Sequence, residues 1–184
     1  MDIQIDISNT KIDTPRLLLR PWRETDLNDF YEYASVDGVG EMAGWNHHKS
    51  IDESKTILQS FIVDKNVFAL ELKSNKKVIG SLGLHYSWAN NEQELCNLKT
   101  KEIGYVLSKA YWGQGLMPEA VHAVIKYCFD VLGLDAVTAG HFVENNQSKR
   151  VIEKNGFTYF SQGEYFAKRL NKTFAESKYI LYRK

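Results

Sequence analysis

Trp112-Gly113-Gln114-Gly115-Leu116-Met117-Pro118 sets two glycines one residue apart just ahead of a proline. Glycine takes positive φ without a Cβ clash, so the pair lets neighbouring main-chain N–H groups converge. Proline suits the first turn of a helix, where its missing N–H is not needed. A turn of this kind leading into a helix adds the unsatisfied N-terminal donors and the positive dipole end, and the sum suits a pyrophosphate. Taken alone, the same residues serve equally well as an ordinary strand-to-helix connection. Two other phosphate motifs fit worse. A P-loop places Lys and then Ser or Thr after its last glycine, where Leu116 and Met117 stand, and a dinucleotide fingerprint needs a third glycine where Pro118 stands.

The elements around the turn are legible from periodicity. Glu102, Gly104 and Val106 alternate with Ile103, Tyr105 and Leu107, a strand with two different faces. After Pro118, the stripe Val121, Val124, Ile125, Cys128 and Leu132 predicts a helix, with Gly133 placed to end it. Upstream, residues 16 to 20 predict a first strand, and Thr25 offers a cap for a helix carrying Leu27, Phe30, Tyr31 and Ala34. Ser50 and Glu53 form a capping box for a second helix ending near Asp64. Val67 to Leu72 and Lys77 to Tyr86 read as a hairpin about Ser74-Asn75-Lys76, with bulges expected at Gly80 and Gly83. The aperiodic stretches from Asp37 to Lys49 and from Ser87 to Lys101 read as long loops. A strand over Asp135 to Phe142, a short helix capped by Asn145 and closed by Gly156, and strands at Phe157 to Gln162 and Ala175 to Tyr182 complete the chain. This order predicts an α/β (α+β) fold with a mixed central sheet of six to seven strands and four helices, as a single domain over residues 1–184.

Four stretches in order resemble the GNAT superfamily of N-acetyltransferases, and its RimJ/RimL branch in particular. They are Thr14-Pro15-Arg16-Leu17-Leu18-Leu19-Arg20, Glu102 to Leu107, Trp112 to Ala120, and Asn145-x-x-Ser148 through Glu153-Lys154-Asn155-Gly156-Phe157. The family's acetyl-coenzyme A motif is Gln or Arg, two residues, Gly, one residue, then Gly or Ala. Trp112 and Met117 stand at its two ends here, and because the donors are mostly main-chain N–H groups, a changed side chain removes none of them. The resemblance implies acetyl-coenzyme A as cosubstrate and no metal. It implies contacts from Val106, Leu107, Trp112, Gly113, Gln114, Gly115, Leu116, Met117, Asn145 and Ser148. The branch implies a protein N-terminal α-amine as acceptor. Relatives that take polyamines, aminoglycosides or amino acids keep a small-molecule acceptor open, as does a homodimer common in the family.

Attack on a thioester needs a neutral amine, so a base is required, and Glu102 is the candidate. An edge carboxylate facing solvent or a lysine is the competing reading, and a base acting through water, or no protein base at all, stays open beside it. A main-chain N–H of Val106 or Leu107 could face the thioester carbonyl, and Ser148 could donate to the departing thiolate. Asn145 and Ser148 read equally as helix-capping residues. Lys109, Lys149 and Arg150 are either phosphate partners or solvated cations. His47, His48 and His85 show no partner and are left without a role, whereas Trp45 and the stretch from Ser87 to Lys101 are expected to shape the acceptor pocket. Cys96 as an acetylated intermediate has no neighbour to lower its thiol pKa, so direct transfer is expected.

Composition sets the bounds. With 23 Lys plus Arg against 23 Asp plus Glu, there is no broad electrostatic footprint for nucleic acid or membrane. Two cysteines without metal-ligand spacing point to a reducing, cytoplasmic setting, and no stretch approaches the ~20 apolar residues of a membrane span. A non-catalytic acyl-coenzyme A binding module is the reading from a different class; it would bind the cofactor and release no thiol with any amine.

Overall fold

The five strands between Leu17 and Phe142 each carry buried residues, and with a two-residue edge strand and a largely exposed last hairpin they merge into one eight-stranded sheet described, with the rest of residues 1–184, in a computed structural model. The strands are β1 (Ile12–Asp13), β2 (Leu17–Pro21), β3 (Val67–Leu72), β4 (Val78–His85), β5 (Thr100–Leu107), β6 (Ala136–Phe142), β7 (Thr158–Ala167) and β8 (Lys172–Tyr182). Their spatial order is β1-β2-β3-β4-β5-β6-β8-β7, antiparallel except for β5 beside β6. Eight strands exceed the expected six to seven because β1, which pairs only Ile12 and Asp13 with β2, is too short to show a period.

Four helices cover the sheet: α1 (Leu27–Ala34), α2 (Ile51–Asp64), α3 (Leu116–Asp130) and α4 (Asn146–Lys154). A parallel pair needs a crossover, and α3 supplies it between β5 and β6. On one face Leu17, Leu19, Phe68, Leu70, Leu82 and Ile103 pack against Val121, Val124 and Cys128 of α3 and Ile152 of α4. On the other, Val67, Ala69 and Val78 pack against Phe30 of α1 and Leu58 of α2. Half of the predicted capping box forms: Ser50 Oγ accepts from the Glu53 N–H at 3.2 Å, whereas the Glu53 carboxylate accepts not from Ser50 but from the Lys49 N–H before it, at 2.9 Å.

Three local readings are corrected. Thr25 does not cap α1; a single 3-10 turn over Glu24–Asp26 precedes it, and Asp26 is the anchor. Its carboxylate accepts from the Arg23 N–H at 2.8 Å and from both terminal nitrogens of Arg20 at 2.8 Å, while Arg20 Nε pairs with Glu71 at 2.7 Å. Gly80 does sit at a register shift opposite Leu70 and Glu71, but Gly83 pairs in register with Val67 and Gly104. The final hairpin runs past the predicted ends at Gln162 and Ala175. Its outer half is exposed on both faces, so the in-out alternation that reveals a half-buried strand is missing there.

Candidate active site

β5 and β6 pair only at Thr100, Lys101 and Glu102, opposite Ala136, Val137 and Thr138, although each strand continues beyond. Past Glu102 they part, and a gap opens between them. The Ser108 N–H donates to Ile79 at 2.8 Å, so antiparallel alternation commits the main-chain groups of Gly104 and Val106 to β4. Those of Ile103, Tyr105 and Leu107 are left facing the gap. Of the two N–H donors read from the sequence, Leu107 therefore points into it and Val106 toward Ser81. The Leu107 carbonyl is taken by the Trp112 indole N–H at 2.8 Å, which ties the end of β5 to the glycine turn.

Gly113 and Gly115 have φ of 75° and 74°, the left-handed region that other residues resist. No main-chain N–H of Gly113, Gln114, Gly115, Leu116 or Met117 donates to another main-chain group. That unpaired row, at the start of a 15-residue helix, fits a pyrophosphate. Arg16 of the segment before β2 clamps the turn. Its Nη1 donates to the Gln114 carbonyl at 2.8 Å and its Nε pairs with Glu119 at 2.7 Å, while Glu119 also accepts from the Arg16 N–H at 2.8 Å and the Thr14 hydroxyl at 2.6 Å. Leu116 and Met117 are buried in the main core, so the bulk of Met117 lies inward of the donors it follows.

A cavity of about 850 Å3 joins the gap and the turn to the opposite sheet face. Glu102 stands in it with its carboxyl raised to about 7, chiefly by burial and then by the like charge of Glu176; the Trp88 N–H at 3.4 Å and the Lys178 ammonium act the other way. His85 is the register partner of Glu102 and lines the same cavity. Burial in the cleft and the Lys101 charge hold its imidazole below the ordinary range. Glycines make the room for these groups. A Cβ on Gly83 would lie 2.3 Å from the His85 ring, one on Gly104 3.1 Å from it, and one on Gly140 2.6 Å from the Glu176 carboxylate. The bare floor across β4, β5 and β6 thus explains Gly83, which the sequence had suggested as a bulge. His85 and Glu176 were not singled out as site residues. The available signal was the glycine two positions from His85 and again two from Glu102.

On the far face of β5, the Tyr105 hydroxyl lies 2.8 Å from Ser148 Oγ, and burial pushes its phenol well above the usual range. Asn145 Oδ1 accepts from the Ser148 N–H at 3.1 Å, as a helix cap does, and its amide nitrogen donates to the Met42 carbonyl at 3.3 Å. Arg150 lines the cavity, whereas Lys149 faces Glu153 at 3.8 Å and Lys109 donates to the Asp37 carbonyl at 3.4 Å.

Trp45 also lines the cavity, its ring lying where a Cβ on Gly40 would approach within 2.3 Å. His48 is buried beside it and shares a 2.7 Å hydrogen bond with Ser54 Oγ, a core role. His47 meets Glu41, whose carboxylate also accepts from the Gly38 and His47 N–H groups and so staples the loop. None of residues 87–101 lines the cavity. Trp88, Ala89 and Leu95 instead pack on Ala136 and Ile180 as a third core cluster, because the segment hides apolar anchors among its polar residues. Cys96, in the same segment, is exposed, and the buried Cys128 thiol is pushed up to about 12. No helix is long and apolar enough to cross a membrane.

Residues 16–158 match the acetyltransferase (GNAT) domain family. The uncharacterized N-acetyltransferase YoaA of Bacillus subtilis (strain 168) is 27% identical over 151 residues, covering 79% of this chain and 81% of that protein. Among solved structures, a GNAT-family acetyltransferase from Bacillus anthracis superposes with a TM-score of 0.79 at 24% identity, covering 94% of this chain and 98% of its own. The ribosomal-protein-S5-alanine acetyltransferase from Vibrio fischeri superposes with a TM-score of 0.69 at 16% identity, covering 94% and 96%.

Proposed function

The chain belongs to the GNAT acetyltransferase family, and from that premise we propose that it transfers an acetyl group directly to a primary amine held beside Glu102, with a protein N-terminal α-amine as the favoured acceptor. Bound acetyl-coenzyme A supplies an acetyl thioester whose sulfur leaves as the thiol. The unpaired donors of Gly113 to Met117 hold its pyrophosphate, and Leu107 turns an N–H into the gap toward the thioester carbonyl. Glu102 takes one proton from the acceptor ammonium. As the N–C bond forms and the C–S bond breaks, Ser148 Oγ, hydrogen-bonded to Tyr105, donates a proton to the sulfur, and the second proton shed by the acylated nitrogen restores the hydroxyl, so the amide and the thiol both leave neutral.

The observation that carries this reading is the Glu102 carboxyl raised to about 7 inside the cavity. An α-ammonium titrates near ~8, within about one pH unit of it, so the proton moves almost isoenergetically. A lysine or polyamine ammonium, near ~10.4, would hold its proton more than a thousandfold more tightly than that carboxylate. The fold shared with the Vibrio fischeri enzyme, whose name gives a ribosomal protein as its substrate, supports the same acceptor. The test is thiol release from acetyl-coenzyme A against N-terminal peptides, polyamines and aminoglycosides, with acetyl-coenzyme A binding measured in parallel by calorimetry. Release that saturates with an α-amine is expected. Tight cofactor binding without release for any amine would mean a binding module instead.

A further inference from the structure

The cavity is electrically lopsided. Its floor holds Glu102 and Glu176, while its outer wall is the tip of the β7–β8 hairpin, from which Arg169 lines the same space. A second concavity of about 440 Å3 opens next to it, sharing Ala43, Trp45, Tyr165 and Arg169 and adding Phe166 and Lys168. No carboxylate lies within ion-pair distance of Lys168 or Arg169. The main chain at Arg169 is held in place: Asn46 Nδ2 donates to its carbonyl at 2.8 Å, and the neighbouring Ala167 is buried. The guanidinium thus has a fixed origin above the cavity, and its charge reaches His48 across the loop, adding to the burial that chiefly holds that imidazole below its ordinary range.

Two cations without partners, walled by the aromatic rings of Trp45, Tyr165 and Phe166, favour a planar anion and repel a second ammonium. We propose that the acceptor carries, besides its amine, a carboxylate or phosphate that docks on Arg169 and Lys168, so that the pocket selects an amphoteric amine over a polycation. This rests on the acetyl-transfer reading and narrows it. The reacting amine sits at the acidic floor and the anion at the basic rim, so the acceptor is oriented by charge before its nitrogen reaches the thioester.

The test uses the full chain and matched acceptors. Short peptides with Glu, Gln or Lys next to the N-terminal residue are compared with a free amino carboxylate, an amino phosphate and spermidine, by thiol release. In the wild type the Glu peptide, or one of the small anionic amines, should have a KM about tenfold or more below the Gln peptide, with spermidine poorest. Which anionic acceptor is best distinguishes a peptide side chain from a small molecule. Arg169→Ala should erase the advantage while leaving the KM for acetyl-coenzyme A unchanged, and Arg169→Glu should make the Lys peptide the better one. Equal KM values for Glu and Gln peptides, or a preference for spermidine, would overturn the inference while acetyl transfer stands. No thiol release with any amine would overturn the transfer reading, and this inference with it.

Discussion

Glu102→Gln should slow the enzyme and stabilise the fold through the same physical cause. Burial lifts the carboxyl from its ordinary 4.5 to about 7. At ~1.4 kcal/mol per pH unit, that interval makes ionised Glu102 cost the folded state about 3 kcal/mol. Between pH 4.5 and 7 the folded chain keeps a proton that the unfolded chain has released. Stability contributed by the raised group is therefore complete below the unfolded value, falls as pH rises, and levels off above the folded value. Glutamine has no such slope. The variant should gain under about 1 kcal/mol over wild type at pH 5 and about 3 kcal/mol at pH 8, read from urea unfolding by tryptophan fluorescence. Over the same range the wild-type kcat/KM should climb about tenfold from pH 6 to pH 8 as the carboxylate forms. The variant should lose that limb and fall about 100-fold or more at pH 8. A stability difference that is equal at pH 5 and pH 8 would refute the burial of this acid. An unchanged rate at pH 8 would refute its role as base.

Glu176→Gln removes the like charge that helps raise Glu102, so the acidic limb of the rate profile should move to lower pH; a limb that stays in place would separate the two groups. Arg16→Ala should weaken acetyl-coenzyme A binding about tenfold or more by calorimetry while leaving kcat near wild type, because it frees the turn and not the reacting centre. Cys96→Ser should leave thiol release and its kinetic pattern unchanged, as direct transfer requires. Arg20→Ala strands two buried carboxylates and should lower unfolding free energy by about 3–5 kcal/mol.

The glycine turn, α3 and the two-faced strand are legible in the sequence because each is a local pattern: positive-φ residues, a 3.6-residue stripe, a period of two. Glu102 is legible as a candidate for the same reason, since it opens an alternating strand. His85 and Glu176 are not, because what brings them to Glu102 is pairing across β4, β5, β6 and β8, and register is set by residues far away in the chain. The segment from Ser87 to Lys101 misleads for the opposite reason. Its composition is that of a surface loop, yet Trp88 and Leu95 are enough to bury it. The outer hairpin, whose side chains are wet on both faces, carries no periodic signal at all.

Strand β5 acts as a partition between two compartments. Glu102, Gly104 and Val106 look toward the acceptor side, and Ile103, Tyr105 and Leu107 toward the side of α3 and α4. Its two chemistries are therefore interleaved one residue at a time. Deleting or inserting a single residue between Glu102 and Leu107 would exchange the compartments beyond that point, carrying a tyrosine into the acceptor cavity or a glycine under the helices. Length is consequently forbidden to vary inside the strand. The stretch before it contributes no wall to the cavity but reaches Glu102 through the Trp88 N–H and is anchored by Trp88 and Leu95, so its freedom to vary in length is confined to the exposed residues between those anchors.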